Sequence, residues 1–348
     1  MVQKAILYSV LIILTICSAG WILWNFSVQG ISLSSIWQQT DTTRFCCSVL
    51  LISLALPCVA LRWEALLPPR PDSNSILDTV FMTGVLCVAF VCNFVLPGPV
   101  GEGVSAWMVH KRLGISVEDS LSALGISRVI GLGSACSIAG LVYVFSPFVI
   151  ASEWKTALVV SSLLLFSIAI ALSLLVFFPK IPQDVVVYMR RYSWLQQGWR
   201  VRLMDMLQQF LESVINTAGR GWFAYMKSIF WAIFGHAMVA LGIYQAILSM
   251  GYRETLGTQT IEWSAVLFTY SASIAASIVM FILPGSSIGW DALFASTLSI
   301  TADIPMTVAI AVTAIVRLQQ VLVAIFGLLL VLRYAKDILD GALLSQKR

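Results

Sequence analysis

Long apolar blocks separated by short polar or Pro-Gly-rich stretches run the length of the chain. Six of them, Ala5 to Trp24, Phe45 to Leu66, Leu121 to Phe145, Ala157 to Phe178, Ser228 to Leu248 and Met306 to Leu332, predict full transmembrane helices. Each is long enough to cross about 30 Å of hydrocarbon at the helical rise per residue. The first has the look of a signal peptide. It lacks a small-residue cleavage site, and many equivalent blocks follow, so a retained span is expected.

Two further apolar segments end differently. Ile76 to Leu96 runs into Pro97-Gly98-Pro99-Val100-Gly101, and Trp263 to Leu283 runs into Pro284-Gly285-Ser286-Ser287-Ile288-Gly289. Shorter helical stretches follow, Gly103 to Val109 and Ala292 to Ile300. Proline and clustered glycine stop a helix and permit a tight turn. Irregular backbone at membrane depth survives only where protein or a wet cavity satisfies it. The reading is two re-entrant helical hairpins, around 76–112 and 263–300; ordinary loops at the membrane surface are the alternative.

Basic residues weigh on that choice. With both hairpins re-entrant and the N-terminus inside, sixteen of the 21 Lys and Arg fall in inner segments. Arg62 and Arg70 are counted there, Arg44, Lys155 and Arg253 lie outside, and Arg128 and Arg317 lie inside spans. This is a strong positive-inside bias. It places both termini in the cytoplasm and the chain in the cell inner (plasma) membrane. If both hairpins crossed fully, the basic middle of the chain would be outside.

The middle, residues 180–227, predicts an amphipathic connector. Leu203, Met206, Leu207, Phe210, Leu211, Val214 and Ile215 follow a helical rhythm, with Arg190, Arg191, Arg200 and Arg202 before or at its start. It either lies in the cytoplasmic interface or simply joins two membrane halves, 1–179 and 228–348.

Composition agrees with the pattern. The chain is 59% hydrophobic and 11% charged, where a soluble chain has roughly 25% charged residues. The net charge of +4 comes without a basic run that would grip nucleic acid. The seven cysteines lie mostly within apolar blocks, odd in number and without ligand-like spacing. Neither a disulfide framework nor a metal site is expected.

The two halves echo each other. Phe94-Val95-Leu96-Pro97-Gly98 matches Phe281-Ile282-Leu283-Pro284-Gly285. An acid follows in each, Glu102 and Asp291, then an arginine within an apolar span, Arg128 and Arg317. With one hairpin entering from each side, this is an inverted repeat, the architecture in which transporters place a site near the midplane. Charges at that depth are costly and face a cavity or a partner. Either the arginines hold an anionic group in a polar cavity, or two buried ion pairs lock the halves together. Gly98, Gly101 and Gly285 permit close backbone approach, and returning half-helices would aim positive N-terminal ends inward. Asn93, just before the first turn, could satisfy freed backbone groups. His236 reads as a packed, hydrogen-bonded residue in preference to a proton relay, and His110 as interfacial. Tyr270 and Trp290 either line the cavity or pack. No phosphate loop, nucleophile elbow or metal pair is found, so neither catalysis nor a cofactor is expected.

Asn93-Phe-Val-Leu-Pro-Gly-Pro-Val-Gly-Glu102, Lys111-Arg-Leu-Gly-Ile-Ser-Val and Ser127-Arg128 resemble the lysylphosphatidylglycerol synthase/flippase transmembrane domain family. Leu283-Pro-Gly-Ser-Ser-Ile-Gly-Trp-Asp291-Ala and Val316-Arg317-Leu318 resemble its second motif. The resemblance covers nearly the whole chain. It implies lipid flipping or a link to lipid or glycolipid export, in a stand-alone member without the soluble synthase domain. The family often has arginines where Pro99 and Ser105 stand, acids where Ser127 and Gly131 stand, and glutamate where Asp291 stands.

The fold expected is an all-α polytopic membrane protein, six full spans plus two re-entrant hairpins in an inverted repeat. The function expected is translocation of a phospholipid or lipid-linked precursor, with Arg128 and Arg317 on the phosphate and Glu102 and Asp291 on the arginines or on a cationic group. A non-transporting membrane partner of a lipid- or glycolipid-modifying enzyme is the alternative, and a membrane-embedded transferase comes last. The sequence is compatible with a homo-oligomer.

Overall fold

The computed structural model describes residues 40–70, 75–95, 100–145, 180–189, 221–250, 263–280 and 286–345, with scattered positions between 167 and 217. These form helices and no strand. In chain order they are α1 (Thr42–Glu64), α2 (Ser75–Val95), α3 (Val100–Leu113), α4 (Val117–Phe145), α5 (Lys180–Met189), α6 (Trp222–Ser249), α7 (Trp263–Met280), α8 (Ser286–Thr301) and α9 (Met306–Ser345). Four carry stretches long and apolar enough to cross a membrane: α1, α4, α6 and the Met306–Val323 part of α9. Four of the six expected spans are therefore present at nearly the expected bounds. Ala5 to Trp24 and most of Ala157 to Phe178 lie outside the described residues.

The chain is a multi-pass membrane protein, and its exposed surface fits that setting. Phe230 and Ile233 on α6 and Leu322, Phe326 and Leu329 on α9 are exposed, as lipid-facing side chains should be.

Interior faces follow a different rule. Lipid tails are as apolar as leucine, so helices associate through close packing of small residues. The seam between α1 and α6 is built this way. A Cβ on Gly242 would stand 2.5 Å from Ile52 Cγ1 and 3.1 Å from the Ser48 carbonyl oxygen, and one on Gly235 would meet Cys58 Cβ at 3.3 Å. The helices run antiparallel, since Asp41 N also donates to Ser249 O at 2.7 Å. Asp41 caps α1, its carboxylate accepting from Thr43 N and Arg44 N at 2.9 and 3.2 Å.

Packing repeats between the halves. α2 packs on α3, and α7 on α8; α3 packs on α4, and α8 on α9. Across the halves, α2 packs on α9, and α7 on α4. Every one of these contacts in one half has its counterpart in the other.

Side chains also locate the ends of the short helices. Thr79 donates to Glu64 at 2.8 Å, Arg70 pairs with Asp78 at 2.7 Å, and Trp63 Nε1 donates to Ser120 O at 3.2 Å. Arg112 lies over the Phe81 ring at 5.6 Å. Thus α2 begins, α3 ends and α4 begins where α1 finishes. Tyr143 packs against Phe268 in a tilted arrangement with centroids 6.0 Å apart, and the Thr269 and Thr301 hydroxyls are hydrogen-bonded. So α7 begins and α8 ends beside the far end of α4.

Short linkers achieve these reversals. Gly114 takes φ 69°, a left-handed conformation that closes α3, and its N–H reaches His110 O at 3.0 Å. Ser116 then accepts from Asp119 N at 3.0 Å and opens α4. Asp303, φ 51°, turns the chain between α8 and α9.

The connector is described in part. α5 is helical with Val186 buried, and the described positions between 205 and 217 are helical with Leu211 buried. Gln208 donates to Glu212 at 2.8 Å, one helical turn on. Ile215 is half-buried, and Leu203, Met206, Leu207, Phe210 and Val214 of the expected amphipathic face lie outside the described residues.

Candidate functional site

Each half places an acid at the start of a short helix and an arginine eleven residues into the next span. Glu102 is in the first turn of α3, and Arg128 follows Val117 on α4. Asp291 is near the start of α8, and Arg317 follows Met306 on α9. The structure joins them: Arg128 Nη2 to Glu102 Oε1 at 2.6 Å, and Arg317 Nε to Asp291 Oδ1 at 2.6 Å. Both contacts are short, as charge-assisted hydrogen bonds are.

The register is constant from the acids to the arginines, and two positions longer than at the Pro-Gly motifs, where Pro97 and Pro284 are 187 apart. Glu102 and Asp291, Gly114 and Asp303, and Arg128 and Arg317 are each 189 positions apart. The α4 that carries Arg128 packs on both its own α3 and the α7 of the other half; α9, with Arg317, packs on α8 and on α2. Both ion pairs therefore sit on helices that join the halves.

Their surroundings differ. The Arg317 and Asp291 side chains are 15% and 8% exposed, whereas Arg128 is 51% exposed over a 16% exposed Glu102. Asp291 Oδ2 is buried and has no hydrogen-bond partner among the described residues. The second pair is closed; the first presents its guanidinium outward.

Gly101 is buried, and its carbonyl accepts from Ser105 Oγ at 2.8 Å. Asn93 belongs to α2. Gly98, Gly285 and both Pro-Gly turns lie outside the described residues. His236 is buried with Nε2 at 2.8 Å from Gly131 O and its ring 5.8 Å from that of Tyr270, so it is packed and hydrogen-bonded. His110 is exposed, with Nδ1 at 2.8 Å from Ile115 O.

Arg62 is the residue that the sequence pattern misassigned. Counted with the inner polar segments, it lies in the last turn of α1 and is 9% exposed. Its Nε donates to Ser127 Oγ at 2.9 Å. A Cβ on Gly131 would lie 1.9 Å from its Nη1. The side chain turns into the protein because Ser127 and Gly131 leave room there. The negative end of α1 favours a cation by about 0.3–1 kcal/mol, far less than burying an unpaired charge costs. A warning was available in the sequence: Arg62 falls within the apolar block Phe45 to Leu66.

The sequence profile of the family described as the lysylphosphatidylglycerol synthase TM region matches residues 6–327. The chain belongs to this family. No curated protein and no solved structure matches it. The lysylphosphatidylglycerol synthase TM region thus extends across both halves, and both ion pairs fall inside it. Ser127 and Gly131 are the two α4 residues against which Arg62 lies.

Proposed function

We propose that this chain is a membrane translocase for a phospholipid or a lipid-linked precursor. The head group crosses through a polar cavity between the halves while the tails remain in the bilayer. The observation that carries the proposal is the pair of acid–arginine contacts at matched positions on helices that join the halves. Arg128, half exposed, is the cation that meets the phosphate; Glu102 holds it in place and exchanges it during passage. Arg317, closed on Asp291, engages the head group only when the second half opens.

The topology that goes with this function has two re-entrant hairpins, α2–α3 and α7–α8, entering from opposite sides as an inverted repeat. Contacts that place α2 and α3 ends at one end of α4 and α7 and α8 ends at the other support it. The bias of basic residues supports cytoplasmic termini and an inner-membrane location.

The test is lipid movement by the purified chain in sealed vesicles, followed with head-labelled phospholipids. Wild type should move lipid, and Arg128→Gln should not while remaining folded. Equal movement in both would reject Arg128 as the head-group contact.

A second reading has its own support. Both arginines are already neutralised within the chain, as they would be in a membrane partner that holds a lipid- or glycolipid-modifying enzyme and transports nothing. Wild-type chain that moves no lipid alone, yet co-purifies with such an enzyme, would favour it.

A further inference from the structure

Among the described residues, Arg62 is an interior charge that the two acid–arginine pairs leave over. Glu102 and Asp291 are taken by Arg128 and Arg317. Among the described residues, Arg62 makes one hydrogen bond, to the neutral Ser127 hydroxyl, and no ion pair. Among the described residues, Arg128, Tyr270, Cys58 and His236 interact electrostatically with it, and none of them is a carboxylate. Ser127 and Gly131 of α4 lie against it; His236 of α6 is hydrogen-bonded to the Gly131 carbonyl, and Tyr270 of α7 lies beside that ring. A guanidinium that is nine-tenths buried needs a counter-charge, and a planar fork of donors fits phosphate oxygens.

We propose that Arg62, with Arg128 next along α4 from its partner Ser127, forms an anion subsite at the junction of α1, α4, α6 and α7 that takes a phosphate group. This deepens the translocase reading on which it rests, by making the substrate head anionic. The phosphate is either that of a lipid head group or a free phosphate. Gly131 is part of the device, since any side chain there would displace the guanidinium.

The subsite can be tested on the purified full chain in detergent, by tryptophan fluorescence and thermal stability. The probes are inorganic phosphate, dihexanoyl phosphatidic acid and dihexanoyl phosphatidylcholine. We expect wild type to bind a phosphate probe and Arg62→Gln to bind it roughly tenfold more weakly or worse, the effect of losing a charge-assisted bond. Ser127→Asp, which places a carboxylate against the guanidinium, should block binding in the same way and remain folded. Without ligand, Arg62→Gln should be as stable as wild type or more so, because an uncompensated charge has gone. Response to inorganic phosphate alone would identify a free anion, and response only to the short-chain acid would identify a head group. Binding unchanged in both variants, no binding by wild type, or a lower melting temperature in ligand-free Arg62→Gln would overturn the proposal. Vesicles in which wild type moves no lipid would count against translocation, while Arg62-dependent binding would stand.

Discussion

Arg128 and Arg317 are 189 positions apart, as are their partners Glu102 and Asp291, yet Arg128 is 51% exposed and Arg317 15%. Matched positions have become unequal sites. Burial of the second pair means that removing one partner strands the other in a low-dielectric interior. The first pair keeps its cation within reach of a head group or water.

Stability should follow that inequality. We expect Arg317→Gln to lose about 3–5 kcal/mol, the cost of stranding a buried acid. Arg128→Gln should lose less, because solvent already screens its half-exposed guanidinium. Thermal unfolding in detergent would compare them. The double variant Asp291→Asn, Arg317→Gln should recover most of the loss, because both charges leave together. Equal melting temperatures for the two single variants would contradict the difference in burial.

The helices were legible from the sequence because apolar length is a strong signal in a chain that must satisfy its backbone internally. The ends of α1, α4 and α6 fall within six residues of the ends of the blocks Phe45 to Leu66, Leu121 to Phe145 and Ser228 to Leu248. The acids and arginines were legible too, since a charge inside an apolar block stands out. Their pairing within each half was one of two readings, because spacing along the chain does not say which side chains meet. Arg62 was misplaced for a related reason. Near the end of a span, an arginine side chain can reach water or turn inward, and only the space beside Gly131 on a distant helix decides.

Close packing at Gly242 should be unforgiving. Its Cβ would stand 2.5 Å from Ile52 Cγ1 and 3.1 Å from a backbone oxygen of α1. We expect Gly242→Leu to separate α1 from α6 and to destabilise by about 1–3 kcal/mol or more. Gly133→Leu on α4, where nothing lies within 4 Å of the Cβ, serves as the control. Monodispersity and melting temperature after extraction report the outcome. A Gly242→Leu protein as stable as the Gly133→Leu protein would mean the seam is looser than described.

Side-specific labelling tests the topology. Lys111 ends α3 near the start of α4, whereas Asp303 follows α8 beside the opposite end of α4. In a cysteine-free background, we expect Lys111→Cys to react with an impermeant maleimide from the cytoplasm and Asp303→Cys from outside. Reaction of both from one side would remove the inverted repeat, and the midplane site with it.

The Pro-Gly turns should belong to the transport path. Pro97-Gly98 lies between α2 and α3 along the chain, and Pro284-Gly285 between α7 and α8; in the proposed topology each joins an entering to a returning helix. Helix ends leave carbonyl and amide groups free, and lipid cannot satisfy them. A wet cavity or a bound head group can. Glycine also lets backbone approach a ligand closely. We expect Gly98→Leu and Gly285→Leu each to block lipid movement in vesicles while insertion is little changed, because the apolar spans and the flanking charges that direct insertion are untouched. Asn93, on α2 just before the first turn, should show a smaller loss as Asn93→Ala, since one polar side chain is removed and no bulk is added. Wild-type rates in both leucine variants would put the turns away from the path and move the site elsewhere.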